Sequence, residues 1–234
     1  MNNLFKNSNS KIILLFIILI CLNGTAAAIN LKALNTEEIS QIKLFENPAA
    51  GQRWQIKVKN PELISLLSEG YEPLKKREQL AGEGGIHSWY FEAAKKGAAL
   101  VNFNLLNAEA GSLVSQKTYL FAINLLTREI AVDEILELKL AENPSTGYRW
   151  SLIESEAKIL ELLAADYQRD AAGPESDVEA AESKIEGSGL LVGRGGIKSW
   201  TFRGAAAGYQ RLSFELARKG GEVIKTVDYL VLVE

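Results

Sequence analysis

Residues 142–150 read Glu-Asn-Pro-Ser-Thr-Gly-Tyr-Arg-Trp, and residues 46–54 read Glu-Asn-Pro-Ala-Ala-Gly-Gln-Arg-Trp. The two stretches are 96 residues apart and agree at six of nine positions. A second motif follows each in the same order: Gly-Glu-Gly-Gly-Ile-His-Ser-Trp at 82–89 returns as Gly-Arg-Gly-Gly-Ile-Lys-Ser-Trp at 193–200, an offset of 111. Solenoid repeats are only roughly 20 to 50 residues long, so these offsets indicate duplication of a whole domain.

Short segments of alternating apolar and polar residues surround both motifs. In residues 135–140 every second residue is leucine, and residues 210–216 alternate in the same way. Period-two alternation predicts half-buried strands, and many short strands between Gly- and Pro-rich turns predict a β-sandwich. We therefore expect an all-β chain of two tandem immunoglobulin-like β-sandwich domains, although the apolar spacing at 61–67 and 159–165 also fits a helical turn.

The duplication also predicts the limits of the domains. The first domain should span residues 29–126 and the second residues 127–234, with a short linker near 126–129 and the two domains touching. The offset grows by fifteen between the two motifs, so the second copy carries an insertion, which we place at 166–186. This stretch is acidic and lacks apolar periodicity, and it is therefore expected to be a surface loop without an assigned role.

The first 28 residues have the pattern of a secretory signal peptide. Lys6 and Lys11 precede the apolar run 12–22, and three alanines at 26–28 follow, so cleavage is expected after Ala28. A run of about eleven residues is much shorter than the roughly 20 that a membrane-spanning helix needs. We predict a secreted or periplasmic protein with no stable membrane insertion after cleavage.

Composition excludes several classes of function from the mature chain. Cys21, the only cysteine, lies inside the signal segment, where Ile20 before it does not suit lipidation. Without residues 1–28 the chain carries 24 Lys and Arg against 29 Asp and Glu, a net charge of −5. Stability must then come from apolar burial, and the chain lacks the basic patch that nucleic acid requires. No cofactor and no metal ion are expected.

The first motif of the second copy predicts a rigid, projecting turn. Asn143 can start a turn through its side chain, Pro144 fixes φ, and Gly147 can adopt positive φ. The tip offers only the small side chains of Ser145 and Thr146. A loop of this kind can enter a narrow cleft while losing little entropy. In the second motif, Gly-x-Gly-Gly removes side chains so that the backbone can approach a partner.

At these residues the chain resembles the chagasin family, the immunoglobulin-like inhibitors of papain-family cysteine proteases. The family's first loop reads Asn-Pro-x-Thr-Gly followed by an aromatic residue, and its second loop reads Gly-x-Gly-Gly. The matching first-loop segment is Asn143, Pro144, Ser145, Thr146, Gly147 and Tyr148, and the matching second-loop segment is Gly193, Arg194, Gly195 and Gly196. The resemblance covers essentially the whole mature chain, once in each half.

The resemblance implies a function that needs no enzymatic activity. Its partner would be a papain-like cysteine protease, whose catalytic cysteine the first loop occludes while two neighbouring loops grip the sides of the cleft. By resemblance, Thr146 would lie nearest that cysteine. The family's third loop usually carries Arg-Pro-Trp, whereas residues 218–222 read Arg-Lys-Gly-Gly-Glu, so only Arg218 is kept.

The first copy departs further from the family pattern. Its first loop has Ala49 and Ala50 at the tip and Gln52 in place of the aromatic residue, and residues 107–115 keep nothing of the third loop. We therefore predict that domain two is the inhibitory unit and that domain one offers a second, degenerate site. That second site would comprise Asn47, Pro48, Ala49, Ala50, Gly51, Gly82, Glu83, Gly84 and Gly85.

Other interpretations stay open beside this one. Each motif alone is also typical of a stiff turn or a β-bulge without a partner. The chain could instead be a non-inhibitory immunoglobulin-like module of the cell envelope that binds protein or glycan through the same loops. The four tryptophans at 54, 89, 150 and 200 are expected to pack in the core or at the base of the loops.

Enzyme functions are poorly supported. His87 is the only histidine and aligns with Lys198, so a histidine triad or a zinc site is hard to build. The glycine motif lacks the Lys-Ser/Thr of a phosphate-binding loop. Glu154 and Glu156 fit a solvated strand edge better than a glycosidase pair.

Overall fold

Alternating apolar and polar residues form extended strands in both halves of the chain, as the sequence predicts. The computed structural model describes residues 28–74, 84–153, 158–169 and 195–234. Within these residues there are fourteen strands and two single 3-10 turns. The strands of the first half are β1 (Ile29–Leu34), β2 (Ile39–Glu46), β3 (Gln52–Lys59), β4 (Ile64–Pro73), β5 (Gly85–Ala93), β6 (Gly97–Asn107) and β7 (Ser112–Ile123). The strands of the second half are β8 (Leu126–Ile130), β9 (Ile135–Glu142), β10 (Tyr148–Ile153), β11 (Leu160–Arg169), β12 (Gly196–Gly204), β13 (Gly208–Arg218) and β14 (Val223–Val233).

The strands of each half form one four-stranded and one three-stranded sheet. The sheet orders are β1-β7-β6-β3 and β2-β5-β4 in the first half, and β8-β14-β13-β10 and β9-β12-β11 in the second. The first strand of each half pairs in parallel with the last strand, and the other pairs are antiparallel. The arrangement is the same in both halves. It confirms the predicted fold class of two tandem immunoglobulin-like β-sandwiches.

Each half has its own aromatic core. Trp89 and Phe103 lie in the first core with ring centroids 4.9 Å apart, and Trp200 and Phe214 lie in the second with centroids 4.5 Å apart. Trp89 is 1% exposed and Trp200 is 2% exposed. These two tryptophans therefore pack as the sequence predicts, on equivalent strands of the two sandwiches.

The expectation of helical turns at 61–67 and 159–165 is wrong. Strands β4 and β11 cover most of these residues, and both strands pair with the central strand of their sheet. The register shifts between Leu66 and Ser68 and between Leu162 and Ala164, which marks a β-bulge in each strand. A bulge adds a residue and breaks the period-two pattern, so neighbouring leucines resembled the spacing of a helix.

The predicted surface insertion begins later than expected. Residues 166–169 belong to β11, where Asp166 pairs with Ser199 and Arg169 pairs with Gly196. The remainder of the predicted insertion, 170–186, lies outside the described residues. Because the stretch as a whole is acidic, its sequence did not indicate that its first four residues continue strand β11.

A third apolar cluster joins the two halves. It contains Leu120 and Ala122 of β7, Leu125, and Leu230 of β14. In β7 the intervening residues Phe121 and Ile123 face the first core, so this strand is buried on both faces. Strands buried on both faces have continuous apolar sequences, as 119–123 and 229–233 do. The two halves therefore touch, and the predicted linker residues 126–129 lie in strand β8.

The predicted signal peptide lies outside the described residues, except for Ala28. In the part of the chain that the structure describes, no helix has the length and apolar character needed to cross a membrane.

Candidate functional site

The segment between β9 and β10 forms the rigid turn that its sequence predicts. Pro144–Thr146 make a 3-10 turn, in which the Thr146 amide donates to the Asn143 carbonyl at 3.1 Å. The Gly147 amide donates to the Pro144 carbonyl at 3.0 Å, and Gly147 has φ 82° and ψ −2°. This left-handed conformation favours glycine. The side chains of Ser145 and Thr146 are exposed at the tip.

Both tip hydroxyl groups make hydrogen bonds within the loop. The Ser145 hydroxyl donates to Asn143 Oδ1 at 2.6 Å, and the Thr146 hydroxyl donates to the Asn143 carbonyl at 2.7 Å. The Thr146 hydroxyl also accepts from the Tyr148 amide at 3.5 Å. Each of the two bonds that the hydroxyl groups donate contributes roughly 1 kcal/mol toward a single conformation. The tip is therefore braced from inside before any partner arrives.

A buried carboxylate closes the base of this loop. Glu142 is 4% exposed, and its side chain accepts from the Trp150 amide at 2.7 Å and from Arg149 Nη1 at 3.1 Å. The Trp150 indole donates to the Ala141 carbonyl at 2.8 Å. Glu142 and Arg149 were not among the predicted site residues. Their recurrence as Glu46 and Arg53 in the repeated motif was the signal that could have identified them.

The first copy keeps the same loop framework with a different tip. Its 3-10 turn Pro48–Ala50 ends at Gly51, which has φ 71° and ψ 10°. The Gly51 amide donates to the Pro48 carbonyl at 3.1 Å, and the Ala50 amide donates to the Asn47 carbonyl at 3.1 Å. The conformation thus depends on the Asn, Pro and Gly positions, whereas the exposed alanines at the tip have no hydroxyl groups.

The base of the first-copy loop repeats the carboxylate and adds an imidazole. Glu46 is 1% exposed and accepts from the Trp54 amide at 3.0 Å, with Arg53 Nη1 at 3.4 Å. His87 Nδ1 lies 3.3 Å from the same carboxylate, and its ring stacks on Trp89 at 4.0 Å. The histidine therefore packs at the base of a loop rather than in a catalytic cleft.

The glycines of the second motif fit against the chain itself. A Cβ on Gly196 would lie 2.2 Å from the Gln168 carbonyl and 2.6 Å from the Tyr167 hydroxyl. In the first copy, a Cβ on Gly85 would lie 2.4 Å from the Glu72 carbonyl. Both glycines are buried, so packing within the sheet is sufficient to require glycine at these positions, and close approach of the motif to a partner stays a prediction. Gly195 is half-buried, and Gly82, Glu83, Gly193 and Arg194 lie outside the described residues.

The third loop of the second copy contacts the first. Arg218 ends β13 and pairs in register with Tyr148, and its guanidinium carbon lies 4.5 Å from the centroid of the Tyr148 ring. In the turn that follows, the Gly221 amide donates a hydrogen bond to the Arg218 carbonyl at 2.9 Å, and Gly220 has φ 69°. An exposed apolar pair, Val223 and Ile224, comes directly after this turn.

Sheet register brings the described parts of the three loops to one end of the second sandwich. Gly196 pairs with Glu142, the residue before the first loop, and Arg218 pairs with Tyr148, the residue after it. A groove of about 500 Å³ lies beside them, lined by Pro144, Gly147, Arg149, Ser151, Ala217, Arg218 and Lys219. The structure thus brings Asn143–Gly147 and Arg218 together at one exposed end, with Gly196 buried in the strand beneath them.

No candidate metal centre occurs among the described residues. They hold no group of three or more His, Cys, Asp or Glu side chains that could bind a metal ion. Glu154 and Glu156 lie outside them. A loop-bearing end on an immunoglobulin-like sandwich is the architecture of a binding protein.

The chain belongs to the chagasin family of peptidase inhibitors, family I42. The family model matches it twice, over residues 33–123 and 129–231. Members of this family inhibit papain-like cysteine proteases and are not enzymes. No curated protein matches the chain.

Solved structures that resemble the chain include two cysteine protease inhibitors. EhICP2 from Entamoeba histolytica is 20% identical, with a TM-score of 0.35, over 43% of this chain and 100% of its own. PbICP-C, solved in complex with falcipain-2, is 19% identical, with a TM-score of 0.30, over 44% of this chain and 91% of its own. Amebosin is 14% identical, with a TM-score of 0.32, over 40% of this chain and 88% of its own.

Proposed function

We propose that this chain is a reversible inhibitor of papain-family cysteine proteases that acts through its second copy. In this proposal the loop 143–148 enters the active-site cleft, with 193–196 beside it and Arg218 on its other side. Family membership supplies the class of partner. The observation that carries the proposal is the exposed tip of Ser145 and Thr146 on an internally hydrogen-bonded turn.

The properties of the loop suit an inhibitor that the protease binds but does not cleave. The turn is already ordered by four hydrogen bonds that converge on the Asn143 backbone and side chain, so binding costs little conformational entropy. Its small tip side chains can enter a narrow cleft. The buried Glu142 carboxylate holds the two ends of the loop together, which resists the extended backbone that a protease substrate must adopt.

The altered third loop changes how the flank of the site would bind. Arg218 lies over the Tyr148 ring, so one exposed cation and one half-buried aromatic residue form a single unit next to the tip. An arginine on an aromatic ring contributes roughly 0.5–1 kcal/mol at exposed sites. We propose that this pair partly replaces the aromatic residue that the third loop lacks.

Two predictions from the sequence, the domain limits and the localisation, form part of this proposal. The functional units are residues 29–126 and 127–234, and the mature protein is secreted or periplasmic after loss of residues 1–28. In that location it would meet proteases outside the cytoplasm. The alternative function, a non-inhibitory envelope module that binds protein or glycan, rests on the blunted tip of Ala49 and Ala50.

Inhibition of papain by the mature full-length chain tests this function. Thr146→Arg places a long charged side chain at the exposed tip and should raise the inhibition constant at least about tenfold, which corresponds to about 1.4 kcal/mol. The matched control is Ala206→Arg, at an exposed turn between β12 and β13 at the other end of the same sandwich.

The expected result is strong inhibition by the unchanged chain and by Ala206→Arg, with weak inhibition by a folded Thr146→Arg. If the two arginine variants inhibit equally well, the inhibitory site lies elsewhere. If the unchanged chain does not inhibit papain or a cathepsin-L-like protease at micromolar concentration, the alternative of a non-inhibitory module is favoured.

A further inference from the structure

The first sandwich has a cleft between the edges of its two sheets. Strands β1 and β2 are the edge strands on this side, because β1 pairs with β7 alone and β2 pairs with β5 alone. The cleft has a volume of about 520 Å³ and is lined by 30–32 of β1, 41–43 of β2, Tyr119 of β7 and Glu129 of β8. Since Glu129 belongs to the second half, the cleft lies where the two halves meet and is complete only in the whole chain. None of the loop residues lines it.

Polar side chains dominate this cleft. Its apolar lining is limited to Leu31 and Ile42, and Ile42 is buried in the first core. Pockets for apolar ligands are lined mainly by hydrophobic and aromatic side chains, so this composition selects a polar ligand. The six polar residues that line the cleft are Asn30, Lys32, Gln41, Lys43, Tyr119 and Glu129.

The charged groups of the cleft have no partner within the described part of the chain. There, the side chains of Lys32, Lys43 and Glu129 form neither an ion pair nor a hydrogen bond. Lys32 is nevertheless half-buried. An ammonium group that is partly removed from water loses hydration, and a hydrogen-bonding partner is needed to replace it. The cleft therefore presents two cations and one carboxylate to a ligand.

The second copy shows what closes the equivalent position when no ligand site is kept. Lys139 corresponds to Lys43 in the register of the sheets, and it pairs with the Glu137 carboxylate at 2.8 Å. In the first copy Gln41 stands in the place of Glu137. A single difference between the copies thus removes the carboxylate that would neutralise Lys43.

The other cation of the second copy is also engaged. Arg128 corresponds to Lys32, and its guanidinium carbon lies 5.5 Å from the centroid of the Tyr229 ring. Tyr119 corresponds to Tyr229, and within the described residues no cation lies over its ring. Burial raises the pKa of the Tyr119 hydroxyl, so this group keeps its proton and remains a hydrogen-bond donor.

An exposed aromatic ring extends the cleft onto the outer face of the neighbouring sheet. Tyr90 pairs in register with Gln41 and is 37% exposed. The Gln41 amide donates to the Tyr90 hydroxyl at 2.6 Å, which fixes the ring and leaves the amide oxygen as an acceptor. An aromatic face gives apolar contact to the C–H groups of a sugar ring, while amides and hydroxyls reach the sugar's own hydroxyl groups. The second copy has Thr201 at the equivalent position.

We propose that this cleft binds an acidic oligosaccharide, in which the sugar units carry carboxylates. Lys32 and Lys43 hold a carboxylate, Tyr119 and Glu129 bond to sugar hydroxyl groups, and the Tyr90 ring stacks on the adjoining sugar. Because the two lysines outnumber the one glutamate, the charge of the cleft favours an anionic ligand over a neutral one. This site is separate from the loops, and it does not depend on protease inhibition.

Calorimetric titration of the mature full-length chain tests the inference. The acidic probes are the hexamers of galacturonic acid and of mannuronic acid. Maltohexaose is the neutral probe of the same length, and hexaglutamate is the acidic peptide of the same length. We expect at least one uronate hexamer to bind with a Kd below about 1 mM, and maltohexaose to bind at least about tenfold more weakly.

Gln41→Glu is the most specific variant, because it reproduces the ion pair of the second copy. The new carboxylate should pair with Lys43 and repel the ligand, so the Kd of the uronate hexamer should rise at least about tenfold. Lys32→Gln with Lys43→Gln should weaken binding by a similar factor. The matched control is Lys57→Gln with Lys59→Gln, which changes the net charge equally on β3, the opposite edge of the four-stranded sheet. Circular dichroism checks that each variant is folded.

The control variant should bind the uronate hexamer as tightly as the unchanged chain. Equal weakening by the control would show unspecific attraction between charges and would overturn the site. Failure of both uronate hexamers to bind, or equally tight binding of maltohexaose, would overturn it as well. Tighter binding of hexaglutamate than of either uronate hexamer would assign the cleft to an acidic peptide instead.

Discussion

Gly196 shows how one residue of a motif can be required for a reason that the motif does not reveal. Its backbone lies against the neighbouring strand β11, so closely that a Cβ would lie 2.2 Å from the Gln168 carbonyl. The Gly-x-Gly-Gly pattern suggested open space for a partner. At this position the pattern instead keeps the sheet intact beneath the loops.

Gly196→Ala should therefore lower stability through overpacking against backbone. We expect the free energy of unfolding to fall by about 2 kcal/mol, within the usual range for overpacked sites. The change is measured by urea denaturation of the full-length chain. Gly70→Ala is the control, because a Cβ there meets nothing within 4 Å and should change stability by less than about 0.5 kcal/mol. Equal stability of the two variants would contradict the close approach of β11 and β12.

The residues of the first loop were predictable because their preferences are local. Asn143, Pro144 and Gly147 determine the turn through their own backbone conformations and near-neighbour hydrogen bonds. Gly196 was not predictable in the same way, since its packing partner Gln168 is distant in sequence. The sequence thus identifies a turn residue and its reason together, but it identifies a packing glycine without its reason.

At the scale of elements, the loop and the two strands that bear it form one unit. Glu142 ends β9 and Trp150 lies in β10, and the hydrogen bond between them spans the whole loop. The repeated motif begins and ends with these two residues. Its outer residues therefore close the base, and its inner residues shape the tip.

Glu142→Ala should loosen the base of the loop. The substitution leaves the Trp150 amide without its acceptor and Arg149 without its ion pair, so the free energy of unfolding should fall by about 1–3 kcal/mol. Hydrogen exchange at the Trp150 amide should accelerate. Glu137→Ala serves as the control, because Glu137 is half-exposed on the same strand and forms its ion pair with exposed Lys139. A stability loss without faster exchange at Trp150 would contradict the proposed role of Glu142.

Strand prediction succeeded where alternation was unbroken and failed where a bulge interrupted it. Strands β9 and β13 alternate through most of their length and were recognised. Strands β4 and β11 each contain a bulge with two exposed leucines in sequence, and their residues were compatible with a helical turn. A bulge is defined by how a strand pairs with its partner strand, and the strand's own sequence does not contain that information.

For the whole molecule, the sequence predicted that the halves touch but not which faces meet. The apolar runs 119–123 and 229–233 carried that information, because strands buried on both faces need apolar residues at every position. The shared cluster has Leu120 and Leu230 at its centre, on equivalent strands of the two copies. The two copies therefore contact each other through equivalent surfaces, which both acquired in the duplication.

An ion pair between the two halves lies beside this apolar cluster. Asp228 of β14 is 4% exposed, with Arg211 Nη2 at 2.9 Å, the Ser213 hydroxyl in hydrogen-bonding contact, and Lys96 of the first half in an ion pair. Burial acts to raise the pKa of Asp228, but the hydrogen bonds from Lys96, Ser213 and Arg211 together outweigh it and hold the pKa below its ordinary value. The folded chain thus favours the ionised carboxylate.

This pKa shift predicts how stability depends on pH. In the unfolded chain the carboxyl has a pKa of about 3.9. Because the folded pKa is lower, the contribution of Asp228 is fully present above the unfolded value and is lost as the pH falls through the folded value. Asp228→Asn should lower the unfolding temperature at pH 7, and the difference from the unchanged chain should shrink below about pH 4. Asp166→Asn, at an exposed position, should show no such difference at either pH.

Lys96→Met removes the ion pair between the halves and leaves the contacts of Asp228 within the second half. Arg211 and Ser213 still contact Asp228 in this variant, so the carboxylate should stay ionised while the second half loses its ion pair to the first. We expect calorimetry at pH 7 to show a lower melting temperature and two partly resolved transitions, because the two sandwiches lose the ion pair that joins them beside the apolar cluster. A single transition at the unchanged temperature would mean that the Lys96 ion pair does not couple the copies.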